Sequence, residues 1–141
     1  MDKSTLHNCG EKSYQHIFIF HRERDGDRIG HTETMTIQEL IEKAAELQIS
    51  LSETQVKQLE QYAQLLAEWN EKMNLTAITE YGEILEKHFY DSILPLGKAK
   101  IFGKVADVGT GAGFPGLVWK IVKPELDVSL IEPTGKRCTF L

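Results

Sequence analysis

The sequence predicts an α/β chain in which helices come first and a parallel strand–helix–strand unit follows. Three features carry that expectation. Apolar residues between positions 36 and 93 recur at helical spacing. Beyond Pro95, two short β-branched runs, "KVADV" (Lys104–Val108) and "DVSLI" (Asp127–Ile131), bracket a helix-like stretch, "PGLVWKIVK". Between the first run and that helix stand four glycines, Gly109, Gly111, Gly113 and Gly116, out of eleven in a 141-residue chain.

In chain order, residues 1–34 show no sustained periodicity. "HRERDGDRIGH" reads as loop or a loose hairpin, and His7, His16, His21 and His31 lack the close spacing of a metal site. The segment is expected to be a poorly ordered extension, with Met35 a candidate natural start. Residues 35–97 read as a helical region. Thr36 with Glu39 and Ser52 with Gln55 have capping-box spacing. After the first box, Ile37, Leu40, Ile41, Ala44 and Leu47 fall on one face. After the second, Val56, Leu59, Tyr62, Ala63, Leu66, Trp69 and Met73 form one apolar stripe over about five turns. A third helix fits Glu80 to Ile93, with Pro95 and Gly97 expected to break it. Over residues 98–141 the pattern changes to strand, glycine loop, helix with Pro115 at a first-turn position, and strand. The connection should be a right-handed parallel crossover.

Composition bounds the function. Hydrophobic residues make up 41% and charged residues 26%, ordinary values for a globular protein. No apolar run approaches the roughly 18 residues of a membrane span, and the polar N-terminus lacks a signal-peptide core. Cys9 and Cys138 form neither a disulfide framework nor a zinc motif, so a cytoplasmic setting is expected, with no metal. The net charge of −5 is uneven: −1 over residues 1–34, −7 over 35–95 and +3 over 96–141. A nucleic-acid partner is therefore compatible with the C-terminal part alone.

The glycine loop points to a nucleoside ligand. A strand, then glycines, then a helix start brings backbone close to a ligand at the carboxyl end of a Rossmann-like sheet, of which these would be the first two parallel strands. Gly111, Gly113 and Gly116 satisfy G-x-G-x-x-G, and Glu132 ends the second strand, where an acid accepts hydrogen bonds from a ribose. A P-loop is excluded, because Leu117 and Val118 follow Gly116 in place of Lys-Ser/Thr. A dinucleotide loop stays open. Asp107, two residues before Gly109, would repel a pyrophosphate and attract a sulfonium, which favours a cationic nucleoside.

Asp107 to Gly113 resembles the acidic-glycine motif of S-adenosylmethionine-dependent methyltransferases. The longer string "DVGTGAGFPG", with "WNEKMNLTAIT" (Trp69–Thr79), "KHFYDSI" (Lys87–Ile93) and the tail "EPTGKRCTFL", closely resembles the RsmG (also called GidB) family, from about Met35 to Leu141. Those enzymes methylate N7 of a guanine in bacterial 16S ribosomal RNA. The resemblance implies S-adenosylmethionine as cofactor, with Gly109 and Phe114 in contact with it and Asp107, Gly111 and Gly113 shaping the loop. Glu132 stands where the family often has Asp, and is implied to face the ribose. The resemblance also implies an N-terminal portion, with further strands and much of the target-base pocket beyond Leu141. A non-catalytic module binding RNA or protein, motivated by the acidic helices, and a dinucleotide oxidoreductase are the alternatives.

Three other motifs have two readings each. His88 and Asp91, three residues apart, suit either acid–base work or a structural pair joining the helices to the loop. Asn74 suits a helix C-cap or the substrate cleft. Trp69 and Trp119 lie on apolar helical stretches and read as core before they read as base-stacking platforms. For RNA phosphates the nearest cations are expected to be Lys98, Lys100, Lys136 and Arg137.

Overall fold

The computed structural model describes residues 16–18 and 34–141. The elements run β1 (His16–Phe18), α1 (Ile37–Glu46), α2 (Glu53–Met73), α3 (Tyr81–Glu83), a π-helical stretch (Ile84–Tyr90), α4 (Asp91–Lys98), β2 (Lys104–Val108), α5 (Gly116–Val122), β3 (Asp127–Ile131) and α6 (Gly135–Phe140). The sheet is parallel with strand order β1-β2-β3, so β2 is central. Its register pairs Ile17 with Ala106 and Asp107 with Leu130. Helix α5 is the crossover between β2 and β3 and packs on both.

Both capping boxes form as the spacing predicts. The Thr36 and Ser52 hydroxyls accept from the N–H of Glu39 and Gln55, and those side chains accept in return from the cap N–H groups. Asn74 closes α2 in the left-handed region (φ 48°), the C-cap reading of this residue.

Three expectations need correction. The third helix does not stop before Pro95. The helical backbone runs from Tyr81 to Lys98, with a seven-residue π-helical stretch in the middle and Pro95 inside α4. Proline costs the carbonyl four residues back its partner, here that of Asp91, but the Pro95 carbonyl still accepts from Ala99. Gly97 serves close packing, not termination: a Cβ there would lie 2.7 Å from Cβ of Leu47. Pro115 precedes α5 instead of sitting in its first turn, at a cis peptide after Phe114. The sheet also has a third strand: His16–Phe18 pairs with the β2 edge opposite β3, although these residues were expected to belong to a poorly ordered extension. The rest of that segment, with His7, His21, His31 and Cys9, lies outside the described residues.

The core joins the helices to the sheet through α5. Leu40, Leu59, Leu66, Leu85, Phe89, Ile93, Val105, Val118 and Trp119 are all almost fully buried in one cluster. Trp119 buries its ring there, and its indole N–H donates to the Ser92 carbonyl at 2.5 Å, the polar partner that a buried indole needs. Trp69 is partly buried against the same cluster. Gln55 does two jobs at once. Its Oε1 accepts from Ser52 N–H, and its Nε2 donates at 2.9 Å to the carbonyls of Ile121 and Val122 at the end of α5. The residue that starts α2 thus also finishes α5. Gln55→Ala removes all three bonds, and we expect it to lower unfolding free energy by about 1–2 kcal/mol, read as a shift of the urea midpoint with unchanged slope. An unchanged midpoint would remove Gln55 from the joint between α2 and α5.

Candidate functional site

Strand β2 delivers Val108 to the carboxyl edge of the sheet, and the chain turns through residues 109–115 before α5. Gly109, Gly111 and Gly113 have φ of 75°, 62° and 101°, values that L side chains rarely adopt. A Cβ at Gly109 or Gly111 would meet nothing within 4 Å, so backbone conformation is what requires glycine there. Gly116 has another reason: a Cβ there would lie 2.5 Å from Cδ2 of Leu130 and 2.8 Å from Oδ2 of Asp107.

Two carboxylates hold this loop from behind. Asp107 is buried at the tip of β2. Its Oδ2 accepts from Thr110 Oγ1 at 2.6 Å and from Gly116 N–H at 2.8 Å, bridging the start of the loop and the start of α5. Glu132, just past β3, accepts from Gly111 N–H at 2.8 Å through Oε2 and from Thr134 N–H at 3.0 Å through Oε1. Arg137 Nη1 stands 3.8 Å from Oε1, and the Glu132 side chain is only 3% exposed. The Gly109 and Thr110 N–H groups both donate to the Ile131 carbonyl, and those of Gly113 and Phe114 to the Thr110 carbonyl. The loop is therefore pinned at both ends and in the middle.

The two acids are shifted in opposite directions. Burial pushes the Asp107 carboxyl up, with Glu132 adding repulsion, and the bonds from Thr110 and Gly116 only partly oppose this. Burial would also raise Glu132. There it is outweighed by the N–H groups of Thr134 and Gly111, the Thr134 side chain and the Arg137 charge, so its pKa falls below the ordinary 4.5.

In front of the loop lies an open cavity of about 520 Å³. Gly109, Gly111 and Phe114 line one side, and Thr76, Lys87, His88 and Asp91 line another. The two walls meet where the His88 and Phe114 rings stack at 4.2 Å and 6°. His88 is 3% exposed, and its Nε2 shares a 2.9 Å hydrogen bond with Thr76 Oγ1. Thr76 is held in turn: its Oγ1 accepts from Ile78 N–H, and its own N–H donates to Asn70 Oδ1. The π-helical stretch carries both Lys87 and His88, in keeping with the tendency of such irregular turns to occur at functional sites.

The residues singled out from sequence divide into three groups. Gly109, Gly111, Phe114, His88, Asp91 and Arg137 line the cavity. Asp107 and Glu132 stand behind the loop and shape its backbone, with Gly113 part of the loop itself; Oδ2 of Asp107 is engaged inside the fold. Lys98, Lys100 and Lys136 are exposed and are not brought to the cavity wall, nor is Asn74. Sequence reasoning missed Thr76 and Lys87. Thr76 lies in the same "NLT" motif as Asn74, and Lys87 is the neighbour of His88; it pairs with Glu83 at 2.6 Å. Among the described residues no group of His, Cys, Asp and Glu is placed to hold a metal ion.

Two predictions test the carboxylates. Asp107→Ala strands a buried hydroxyl and a buried N–H, and should destabilise by about 2–3 kcal/mol in urea unfolding. Asp107→Asn, which keeps an acceptor oxygen, should cost clearly less; equal losses would refute the latch. Glu132 is linked to pH through a lowered folded value. Its stabilisation is present above 4.5 and is lost as pH falls through that lower value. Asp107 has the opposite sign: its contribution is full below 3.8 and is lost as pH rises through its raised folded value. The melting temperature of wild type should thus exceed that of Glu132→Gln most near about pH 7, with the gap closing toward about pH 3. A gap that widened on acidification would contradict this assignment.

Comparison with known proteins agrees with this geometry. The family model described as rRNA small subunit methyltransferase G matches residues 55–141. A protein of Lactococcus lactis subsp. cremoris named ribosomal RNA small subunit methyltransferase G is 49% identical over 110 residues, 76% of this chain and 46% of the relative. Proteins of the same name from Streptococcus sanguinis and Streptococcus pneumoniae serotype 19F are 50% and 52% identical over 110 and 100 residues. The chain spans about half the length of the curated relatives it matches. With a family model matched over more than half its residues, and the glycine loop and both acids inside that match, the chain belongs to the rRNA small subunit methyltransferase G family.

Proposed function

We propose that this chain carries the cofactor-binding part of an S-adenosylmethionine-dependent methyltransferase acting on N7 of a guanine in 16S ribosomal RNA, in the cytoplasm. The observation that carries the reading is the pinned glycine loop at the carboxyl edge of a parallel sheet, opening on a cavity at the β2–β3 strand ends. Among the described residues, no helix is long and apolar enough to cross a membrane.

The residues present fit such a cofactor. The Cα atoms of Gly109 and Gly111 have open space beside them, so a ligand can approach the backbone closely. Phe114 offers the cavity a half-buried apolar surface. Glu132 accepts from the Gly111 and Thr134 N–H groups behind the loop, beside Arg137, and so fixes the Gly111 backbone that the cofactor would meet. When bound, S-adenosylmethionine supplies a methyl group on a positively charged sulfur. Gly109, Gly111 and Phe114 would hold it, with Asp107, Gly113 and Glu132 keeping the loop in shape.

Guanine N7 has a free lone pair and no proton, so its attack needs no base. The contribution required of the chain is placement, which can supply most of the acceleration. His88 and Asp91 are accordingly positioning groups on the cavity wall facing the loop. Arg137 at the cavity, with Lys87 on the opposite wall and Lys136 beside Arg137, supplies positive charge for RNA phosphates, and binding should weaken with salt.

Transfer of a radiolabelled methyl group to 16S ribosomal RNA from cells lacking this modification tests the reading, with the chain extended to the length of its relatives. Label at guanine N7 is expected; unmodified RNA would overturn the substrate assignment. Gly109→Val should weaken S-adenosylmethionine binding at least about 100-fold, because φ of 75° disfavours a β-branched residue and its methyl groups would fill the open space. Affinity equal to wild type would take Gly109 out of the site.

A further inference from the structure

Tyr62 belongs to the apolar stripe of α2, and its burial to 5% exposure looks like core packing. Phenylalanine would serve a core as well, so the hydroxyl needs its own account. Oη donates a hydrogen bond to the carbonyl of Ala112, fifty residues away in the middle of the glycine loop. A Cβ on Gly113 would lie 2.6 Å from the same Oη. The ring of Tyr62 lies nearly parallel to that of Phe114, at 5.3 Å and 17°, and stacks also on Phe89 and Phe140. Phe114 carries this packing on to His88 in the opposite wall.

We infer that Tyr62 is a positioning residue for the cofactor loop, through which the helical part of the chain sets the shape of a site built on the sheet. The inference rests on the cofactor reading above and assigns α2 a part in it. The other bonds that pin the loop come from the loop itself and from the residues next to β2 and β3: Asp107 and Gly116, Ile131, Glu132 and Thr110. The bond to Ala112 comes from α2. It fixes the Ala112–Gly113 peptide, on the far side of which Gly113 adopts φ of 101° and Phe114 turns toward the cavity. Burial and the nearby Asp107 charge keep the phenol protonated, and so a donor, far above neutral pH. Without the hydroxyl that peptide gains freedom, the competent loop conformation loses population, and apparent cofactor affinity falls by the same fraction.

The test uses the 141-residue chain with Tyr62→Phe, which keeps the ring stack and removes only Oη. Two readouts are measured. Amide hydrogen exchange at Gly113 and Phe114 should quicken about tenfold while the β2 amides keep their rates. Titration with S-adenosylmethionine should give a dissociation constant about tenfold higher. Leu59→Val, a core truncation in the same helix, should lower the melting temperature without moving either readout, which separates positioning from general loss of stability. Unchanged loop exchange in Tyr62→Phe would overturn the inference, as would equal shifts in Leu59→Val. If wild type binds no S-adenosylmethionine, the cofactor reading fails, and the exchange measurement still decides the role of Tyr62.

Discussion

One buried carboxylate oxygen closes the glycine loop, and the rest of the site depends on it. Oδ2 of Asp107 takes hydrogen bonds from both ends of the turn, the Thr110 hydroxyl and the Gly116 N–H. Gly116 must be glycine because a Cβ would displace that same oxygen. The acid is costly to bury: burial pushes its pKa up, and its two donors only partly offset that cost. Glu132 then ties the loop centre to the end of β3. Loop geometry, strand order and helix start are thus a single hydrogen-bonded unit.

That unit does not stand on the sheet alone. Helix α5 lies between the sheet and the helices, with Trp119 bonded to Ser92 of α4 and its last carbonyls bonded to Gln55 of α2. His88 stacks on Phe114, and Thr76 orients His88. The cavity is bounded by two different parts of the chain, so its width is set by how the helices pack against α5. This arrangement suits a reaction that needs placement more than proton transfer.

Local rules made much of this legible from sequence. Capping boxes are contacts over three residues, and both appear where Thr36–Glu39 and Ser52–Gln55 put them. The strand–glycine–helix–strand order is equally local, and four crowded glycines marked the loop. Long-range features were not legible. Nothing in "KHFYDSI" announces a π-helical stretch, which arises where helix packing outweighs local hydrogen bonding. Pro95 reads as a breaker because its local cost is visible and the packing of Gly97 on Leu47 is not. Asp107 reads from sequence as a charge at the strand tip and as a loop-shaping residue, and only tertiary structure shows the two internal donors, Thr110 and Gly116, that hold its Oδ2. The Tyr62 ring fits the apolar stripe, while its hydroxyl partner lies fifty residues downstream. β1 was missed because three residues carry too little periodicity to mark a strand.

If the loop is already an organised S-adenosylmethionine site within these 141 residues, the wild-type chain should bind that cofactor without help from further sequence. Calorimetric titration with S-adenosylmethionine, and separately with NAD, decides the matter. Saturable one-to-one binding of S-adenosylmethionine is expected and none of NAD, since the Asp107–Glu132 pair favours a cation over a pyrophosphate. No saturable heat with S-adenosylmethionine, or tighter binding of NAD, would show that the pinned loop is not such a site.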